Sequence, residues 1–370
     1  MRVCGLKLKN FRNYSQLDID FSRDINILVG HNAQGKTNIV EAIYLTAIGK
    51  SHRGNKDNEL IKWQEDFFKV NTLIERDKHK YDIDLSYSKE RKKRLKINGV
   101  SKDKLSSLMN YLNVVLFSPE ELELIKGGPA LRRRFLDVLL SQISPKYFHA
   151  LQQYSKIINQ RNAYLRELKL DLSKDKNLLE IWDMQLSKFG AEIVCKRVNI
   201  LKQIVEKAKK HHLNISDGKE TIDVSYISFF EDSSDVSEEN LMEYLYNIFQ
   251  KGRNNDIKRG HTLNGPHRDD LKISINNYDA RIYASQGQQR SLALALKMAE
   301  LECLEEDIKD KPVLLLDDVM SELDEKRRYF LLTEISGRVQ TFITTTDLSF
   351  INIGKEEAQI FQVDSGCIIK

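Results

Sequence analysis

The sequence predicts an α/β core interrupted by a mainly helical insertion. Three observations carry this reading. Both ends of the chain alternate strand-length apolar runs with helix-periodic stretches, an apolar strand runs straight into a glycine-bearing loop at Gly30, and residues 129–213 are helix-periodic and almost free of glycine.

Strand alternation opens the chain. Residues 3–10 alternate imperfectly, and 15–21 more regularly through Leu17, Ile19 and Phe21. Residues 25–29 form a short apolar strand ending at Gly30. From Thr37 the period changes: Ile39, Val40, Ile43, Tyr44 and Ala47 recur at helical spacing, and Gly49 is placed to stop the helix. Further strands are expected at 67–75, 80–87 and 94–97, with a turn at Asn98-Gly99. Gly127-Gly128-Pro129 breaks the chain, and Pro129 suits the first position of a helix running through Phe135 and Leu140. Helical periodicity continues through Tyr154, Ile157, Leu165, Ile181, Leu186 and Val194. Residues 222–227 alternate as a strand, and the acidic, serine-rich 231–240 reads as a solvated loop or helix start. The last third predicts a helix at 288–302, an apolar strand at 313–316, a helix at 325–335 and a strand at 340–344. The α/β core is therefore assigned to 1–125 and 260–370, and the helical insertion to 126–259.

Composition bounds the function without choosing it. The 370 residues exceed one simple core, at about 150 residues per domain. Lys+Arg 58 against Asp+Glu 54 leaves +4, which excludes the strongly basic nucleic-acid binder and the acidic disordered chain, though not a local basic patch. No apolar run approaches the roughly 20 residues that span a bilayer. The opening MRVCGLKLKNFRNY has no apolar signal core, so a cytoplasmic protein with no membrane partner is expected. Cys4, Cys195, Cys303 and Cys367 lie far apart with no CxxC pair, and are expected as reduced thiols.

Chemistry enters at Gly30-His31-Asn32-Ala33-Gln34-Gly35-Lys36-Thr37, which matches Gly, four residues, Gly, Lys, then Ser or Thr. Gly30 and Gly35 let the backbone curl around an anion without a Cβ in the way. Successive N–H groups and the helix N-terminus, as far as Asn38, face phosphates. Lys36 is expected on the β/γ-phosphates, and the Thr37 hydroxyl on Mg²⁺. A metal-binding carboxylate should close a neighbouring apolar strand, and Val313-Leu314-Leu315-Leu316-Asp317-Asp318 supplies it. Asp317 is the expected second Mg²⁺ contact. Asp318 is expected to orient the attacking water. Ser285-Gln286-Gly287-Gln288-Gln289-Arg290 opens a long helix with a hydroxyl and a glycine, a second anion-binding device in Ser285, Gly287 and Gln288. Two such devices for one nucleotide point to a dimer in which each subunit completes the other's site.

Phosphate loop, SxGQ signature, tandem acidic strand end and Ser321-Glu322-Leu323-Asp324 together resemble the P-loop heads of ABC-type ATPases. Within that superfamily the chain is most similar to the RecF family of bacterial recombination and repair proteins. The likeness rests on Leu8 to Tyr14, Gly30 to Asn38, Phe117-Ser118-Pro119-Glu120, Gly128 with Arg132-Arg133-Arg134-Phe135-Leu136-Asp137, Gly265-Pro266-His267-Arg268-Asp269-Asp270, Ser285 to Arg290 and Leu315 to Asp324. It implies a lobe I with a mixed sheet and helices and an α-helical lobe II. It further implies ATP-dependent dimerisation, slow ATP hydrolysis as a switch, and sequence-independent binding of gapped, single- and double-stranded DNA. RecR and RecO are the implied partners, with RecA loaded downstream. Arg12 and Tyr14 are expected near the adenine by stacking, and Thr346 or Asp347 near the γ-phosphate in place of a switch histidine. The alternatives are an SMC-like chromosome ATPase head, which lacks its long coiled coil here, and a transporter-type ATPase, which lacks LSGGQ and the switch histidine. Candidate DNA contacts are Arg91, Lys92, Lys93, Arg94, Arg132, Arg133, Arg134, Lys251, Arg253, Lys258 and Arg259. A modest net charge suits a basic surface assembled by dimerisation.

Overall fold

The computed structural model describes all residues except 55, 92, 172, 231–236, 352–357 and 370. Lys92 and the acidic stretch up to 236 therefore lie outside the described residues. The Cα packing divides the chain into two compact units: residues 1–123, 214–218 and 290–370, and residues 124–213 and 219–289.

The first unit holds two sheets. In chain order it contains β1 (Arg2–Phe11), β2 (Tyr14–Asp20), β3 (Ile25–Val29), α1 (Lys36–Ile48), β4 (Phe67–Arg76), β5 (His79–Ser88), β6 (Arg94–Ile97), β7 (Val100–Lys102), β8 (Val114–Phe117) and a single turn, α2 (Pro119–Leu122). An antiparallel sheet runs in the order β2-β1-β4-β5-β6-β7. The uneven alternation of β1 has a structural cause. Its register against β4 shifts between Val3 and Gly5, so the bulge turns the chain over and both Val3 and Leu6 face the core. Asn98-Gly99, both with positive φ, make the tight turn that the sequence predicts, and the chain returns as the unforeseen strand β7.

The second unit carries α3 (Pro129–Ile143), α4 (Pro145–Leu170), the long α5 (Leu179–Ile215, whose last two residues group with the first unit), β9 (Ile222–Ile227), α6 (Glu238–Arg259), β10 (Asp270–Ile275), β11 (Tyr278–Asp279) and the one-turn α7 (Ala280–Tyr283). Pro129 sits in the first turn of α3 behind Gly128, as predicted. Strand β10 pairs antiparallel with β9 along its full length. That ladder draws residues 260–289 into the second unit, whereas the sequence assigns them to the core. The unit is thus a helical bundle with its own three-stranded sheet, β11-β10-β9.

The chain then continues through α8 (Gln286–Ile308), β12 (Val313–Asp317), α9 (Glu325–Ile335), β13 (Thr341–Thr345), β14 (Ala358–Asp364) and β15 (Cys367–Ile369). These strands complete the second sheet of the first unit, β15-β14-β3-β13-β12-β8, parallel except for β15. Runs such as Val313-Leu314-Leu315-Leu316 are buried throughout, as a sheet covered on both faces requires. Helix α1 is buried along most of its length and joins residues of both sheets in one core, with Ile39, Val40, Ile43 and Leu45 fully buried. Gly49 ends it in the left-handed conformation, its N–H bonded to Leu45 O.

Candidate nucleotide site

The loop between β3 and α1 is built from a strained backbone on a rigid bed. Ala33 has φ 66° and Gly35 φ 118°, and the N–H groups of Asn38 and Ile39 already bond to Gly35 O. A Cβ on Gly30 would lie 2.2 Å from Val363 O, so only glycine lets the loop pass against β14. Two turns brace it from outside. On the β1–β2 side, Asn13 Nδ2 donates to Gln34 O at 2.9 Å, and Tyr14 OH donates to Gly35 O at 3.2 Å. On the β14–β15 side, Gly366 N donates to Gln34 O at 3.0 Å, and Ser365 N to Gln34 Oε1 at 2.5 Å. Asn38 Nδ2 donates to Asn13 Oδ1, tying the first turn of α1 to the same bed.

Lys36 is nearly buried and its ammonium donates to Gly30 O and His31 O at 2.7 and 2.8 Å. Burial holds it below its ordinary pKa, against the pull of Asp318 and Asp317. The acidic pair lies at the C-terminal end of β12, which is separated from β3 by β13 alone. Thr37 Oγ1 donates to Asp317 Oδ1 at 2.8 Å, which brings together the two residues predicted to share a metal. Burial raises the Asp317 pKa, while hydrogen bonds from Thr344 and Thr37 and the charge of Arg53 lower it. Asp318 is half-buried with φ 55°, and its N–H donates to Thr344 Oγ1 at 2.8 Å. Burial raises the Asp318 carboxyl pKa too, with Lys36 opposing.

A hydroxyl and one carboxylate are hard oxygen donors, and they suit Mg²⁺ held mainly by water and phosphate oxygens. Among the described residues no group of three or more His, Cys, Asp or Glu could enclose a metal on its own. The donor set therefore fits a magnesium–nucleotide rather than a resident metal.

Sequence reasoning missed two neighbours. Thr344 donates to Asp317 Oδ1 at 2.8 Å and accepts from Asp318 N, so one hydroxyl aligns both aspartates. Its signal was the threonine run Thr344-Thr345-Thr346 at the end of the strand at 340–344. His52, its side chain 3% exposed, stands with Nε2 4.0 Å from Asp317 Oδ2 and its ring edge-on to Tyr44. The polar cluster Ser51-His52-Arg53 just past Gly49 was its signal.

Four expectations change. Tyr14 is fully buried beneath the loop with its hydroxyl on Gly35 O, so it supports the loop and offers no face to an adenine. Arg12 is clamped by Glu41, Nε to Oε2 at 2.8 Å and a terminal nitrogen to Oε1 at 2.6 Å, and also donates to Glu59 O. Glu41 is wholly buried, so this pair is part of the core, and truncating Arg12 would strand a buried carboxylate. Asp347 accepts from Ser349 N and caps a short 3-10 turn at Leu348–Phe350, which uses the carboxylate that was expected near the γ-phosphate; Thr346 is exposed beside it. Several supposed DNA contacts are internal. Arg132 is buried in a two-pronged pair with Asp270, Arg253 holds Asp183, and Lys93 bridges Gly49 O and Asp57. Arg133 donates to Asp269 O. Arg91, Arg94, Lys251, Lys258 and Arg259 are exposed.

The Ser285 signature belongs to the second unit. Ser285 N donates to Gln288 Oε1 and Gln288 N to Ser285 Oγ, a capping box at the start of α8. Gln288 is further held by Glu220. Ser285 is exposed at the positive end of a 23-residue helix. In the Ser321–Asp324 stretch, Ser321 Oγ donates to Asp318 O, Glu322 pairs with Arg290, and Asp324 caps α9.

The residues 265–270 turn out to be an internal lattice. His267 Nδ1 lies 2.8 Å from Tyr154 OH, Asp269 accepts from Tyr226 and Ser228, and Arg197 spans Asp137 and Pro266 O. Burial lowers the His267 pKa to about 4 and raises that of Asp269 to about 6. The two oppose each other. Between pH 4 and 6.5 the unfolded His267 binds a proton that the folded one does not, so its contribution to stability grows as pH rises. Asp269 holds its proton longer when folded, so its contribution falls as pH rises from 3.8 to about 6. Asp269→Asn removes one side of this balance. Relative to the parent, its unfolding free energy is expected to gain on the order of 2–3 kcal/mol between pH 4 and 6.5. Urea unfolding of the second unit, followed by Trp182 emission in a Trp63→Phe background, checks this; a pH-independent difference contradicts it.

The phosphate loop and the acidic strand end share one sheet, with a Ser-capped helix elsewhere on the same chain, and this makes the chain an ABC-type ATPase head. The family model for the RecF/RecN/SMC N-terminal domain matches residues 2–369. The chain belongs to the RecF family of DNA replication and repair proteins. It is 41% identical over 369 residues to the DNA replication and repair protein RecF of Bacillus cereus (strain B4264), covering 100% of this chain and 98% of the relative. The RecF of Bacillus mycoides (strain KBAB4) gives the same identity and coverage. Among solved structures, the recombination mediator RecF–ATP of the RecFOR pathway superposes with a TM-score of 0.92 at 39% identity, covering 100% of this chain and 97% of that one. A Smc head domain from Pyrococcus furiosus reaches a TM-score of 0.55 at 17% identity over 99% of this chain and 94% of that one, a likeness of fold alone. Among the described residues no helix is long and apolar enough to cross a membrane.

Proposed function

We propose that this chain is an ATP-gated, DNA-binding recombination mediator of the cytoplasm. On this reading it dimerises on ATP, engages gapped DNA without sequence preference, and helps load RecA together with RecR and RecO. The observation that carries the nucleotide part is the Thr37–Asp317 hydrogen bond across the second sheet, behind a loop whose lysine is already seated. Lys36 would neutralise β/γ-phosphate oxygens. Thr37 and Asp317 would hold Mg²⁺, which when bound draws charge from those oxygens. Asp318, positioned by Thr344, would accept a hydrogen bond from the attacking water and align it. Arg12 keeps an adenine-facing role only through whatever guanidinium surface its pair with Glu41 leaves exposed, 22% of its side chain. An aspartate at this position, where many ABC-type ATPases carry a glutamate, suits slow turnover used as a switch.

The dimer reading is supported by the exposed Ser285 helix start, whose dipole and hydroxyl are suited to a γ-phosphate on a second copy. Membership of the RecF family, and the RecF–ATP structures of the RecFOR pathway, support the DNA and partner assignments. An SMC-like arm is not offered by α5, whose 37 residues span about 55 Å.

Ser285→Arg tests the composite site. It is expected to leave ATP binding by the monomer within about twofold of the parent while blocking both dimerisation and hydrolysis. Labelled-ATP binding and sedimentation with and without ATP decide it. If nucleotide affinity falls as far as it does in a Lys36 variant, the site is not completed by a second subunit.

A further inference from the structure

A turn beside the end of β1 holds an aromatic side chain that neither the nucleotide site nor the core uses. Trp63 is 91% exposed, although its turn is firmly tied down. Arg12 N donates to Leu60 O, Ile61 bridges Phe11, and Lys62 N donates to Asn10 O, so the chain reaches Trp63 as a short ladder along the end of β1. Lys62 Nζ donates to Asn13 O and Ser15 Oγ. A single exposed indole is ordinary on a protein surface, so its surroundings decide whether it has a partner.

The surroundings say what kind. The strand registers align Lys9 with Lys69, Lys69 with Ser86, and Ser86 with Arg94, one row across β1, β4, β5 and β6. All three basic residues are exposed on the solvent face. The next row holds Lys7, Asn71, Asp84 and Lys96, basic at its two ends and acidic at Asp84. Lys9 lies 5.6 Å over the Phe67 ring, which is itself 37% exposed. Lys7 and Lys69 pair with Asp18 and Asp84, but exposed pairs are weak and yield readily to a phosphate. Towards the opposite end of the sheet the same face turns acidic, with Asp20 and Asp82 following along β2 and β5. Positive charge is therefore gathered towards the end of β1, where Lys9 lies over Phe67 and the chain leads into the Trp63 turn. Basic residues that track a phosphate backbone next to an exposed ring are the means by which unpaired nucleotides are held.

We propose that Trp63 stacks on an unpaired base of the DNA strand whose phosphates lie along Lys9, Lys69 and Arg94. This makes Trp63 the residue that distinguishes a gap or junction from plain duplex. A base inside a duplex keeps its faces covered by its neighbours and has none for the indole. The inference rests on the DNA-binding reading above and assigns it a site.

The test compares gapped and fully duplex oligonucleotides of equal length, with ATP and Mg²⁺ present. Trp63→Ala is expected to lower affinity for gapped DNA about tenfold more than for duplex, and Trp63→Phe to restore most of the difference. In a Trp182→Phe background, Trp63 emission is expected to be quenched by gapped DNA and hardly by duplex. Lys9→Ala is expected to weaken both DNAs and to reduce the salt slope by about 0.9. If Trp63→Ala binds the two DNAs in the parental ratio, or the emission does not respond to a gap, this assignment is wrong while DNA binding stands. If the parent binds neither DNA, both readings fall.

Discussion

Replacing Lys36 with alanine is expected to lower ATP affinity at least about 100-fold and to abolish ATP-driven self-association. The size follows from the contacts at stake. Two charge-assisted hydrogen bonds to phosphate oxygens, at about 1.5–3 kcal/mol each, are lost with the ammonium. The loop itself should survive. It loses the two bonds from Lys36 to Gly30 O and His31 O, but keeps those from Asn13, Tyr14, Ser365 and Gly366. Titration with a fluorescent ATP analogue, together with light scattering, checks both halves. An ATP-dependent dimer equal to that of the parent would show that Lys36 does not meet the nucleotide.

Asp318→Asn should separate binding from turnover. The side chains are nearly isosteric, and asparagine tolerates the positive φ of 55° at this position at least as well as aspartate. The backbone bond from residue 318 to Thr344 does not depend on the side chain, so Asp317 should keep its alignment. What is lost is an acceptor for the proton of the attacking water, a change of roughly 10²–10⁴ in rate for general-base catalysis. The expected outcome is near-parental ATP affinity, hydrolysis reduced at least about 100-fold, and a dimer that outlives the parent's after excess ATP is removed. Single-turnover phosphate release and a sedimentation time course measure these. Hydrolysis at the parental rate would move the catalytic role to another residue, with His52 the first to examine because it faces Asp317.

Much of this site is legible in the sequence because its chemistry is local. A loop that must bend around an anion needs glycine at fixed offsets, and Gly30, Gly35 and Lys36 announce it in eight residues. The tandem aspartates are equally readable, since the strand before them is continuously apolar. Residues whose role depends on distant partners are not. Tyr14 and Arg12 sit in a motif beside the loop, and nothing local says that one lies beneath it and the other on a carboxylate, Glu41, inside a helix. The same limit applies to Arg132 and Arg253. A basic run looks solvated until the acid that neutralises it is found, and here Asp270 and Asp183 stand 138 and 70 residues away. In the fold, β8 and β14 escaped notice because a four-residue apolar run carries no period, and β14 breaks its alternation at Ile360-Phe361. The division at 260 failed for a comparable reason: β10 finds its partner β9 across the whole of α6.

The hydrogen bond from Ser365 to Gln34 joins positions 331 residues apart, and it gives the order of protein synthesis a role. The phosphate loop and its Asn13–Tyr14 brace leave the ribosome early, yet the flanking strands β13 and β14, the acidic strand β12 and the Ser365–Gly366 brace are all translated after it. At roughly 5–20 residues per second, a nascent chain spends roughly 15–70 s with the glycine loop made but only half braced. During that interval an N-terminal fragment has the motif and lacks the site. On the proposed ATP-dependent pairing, such a fragment is kept from engaging a second copy, and neighbouring nascent chains on one message are spared premature pairing.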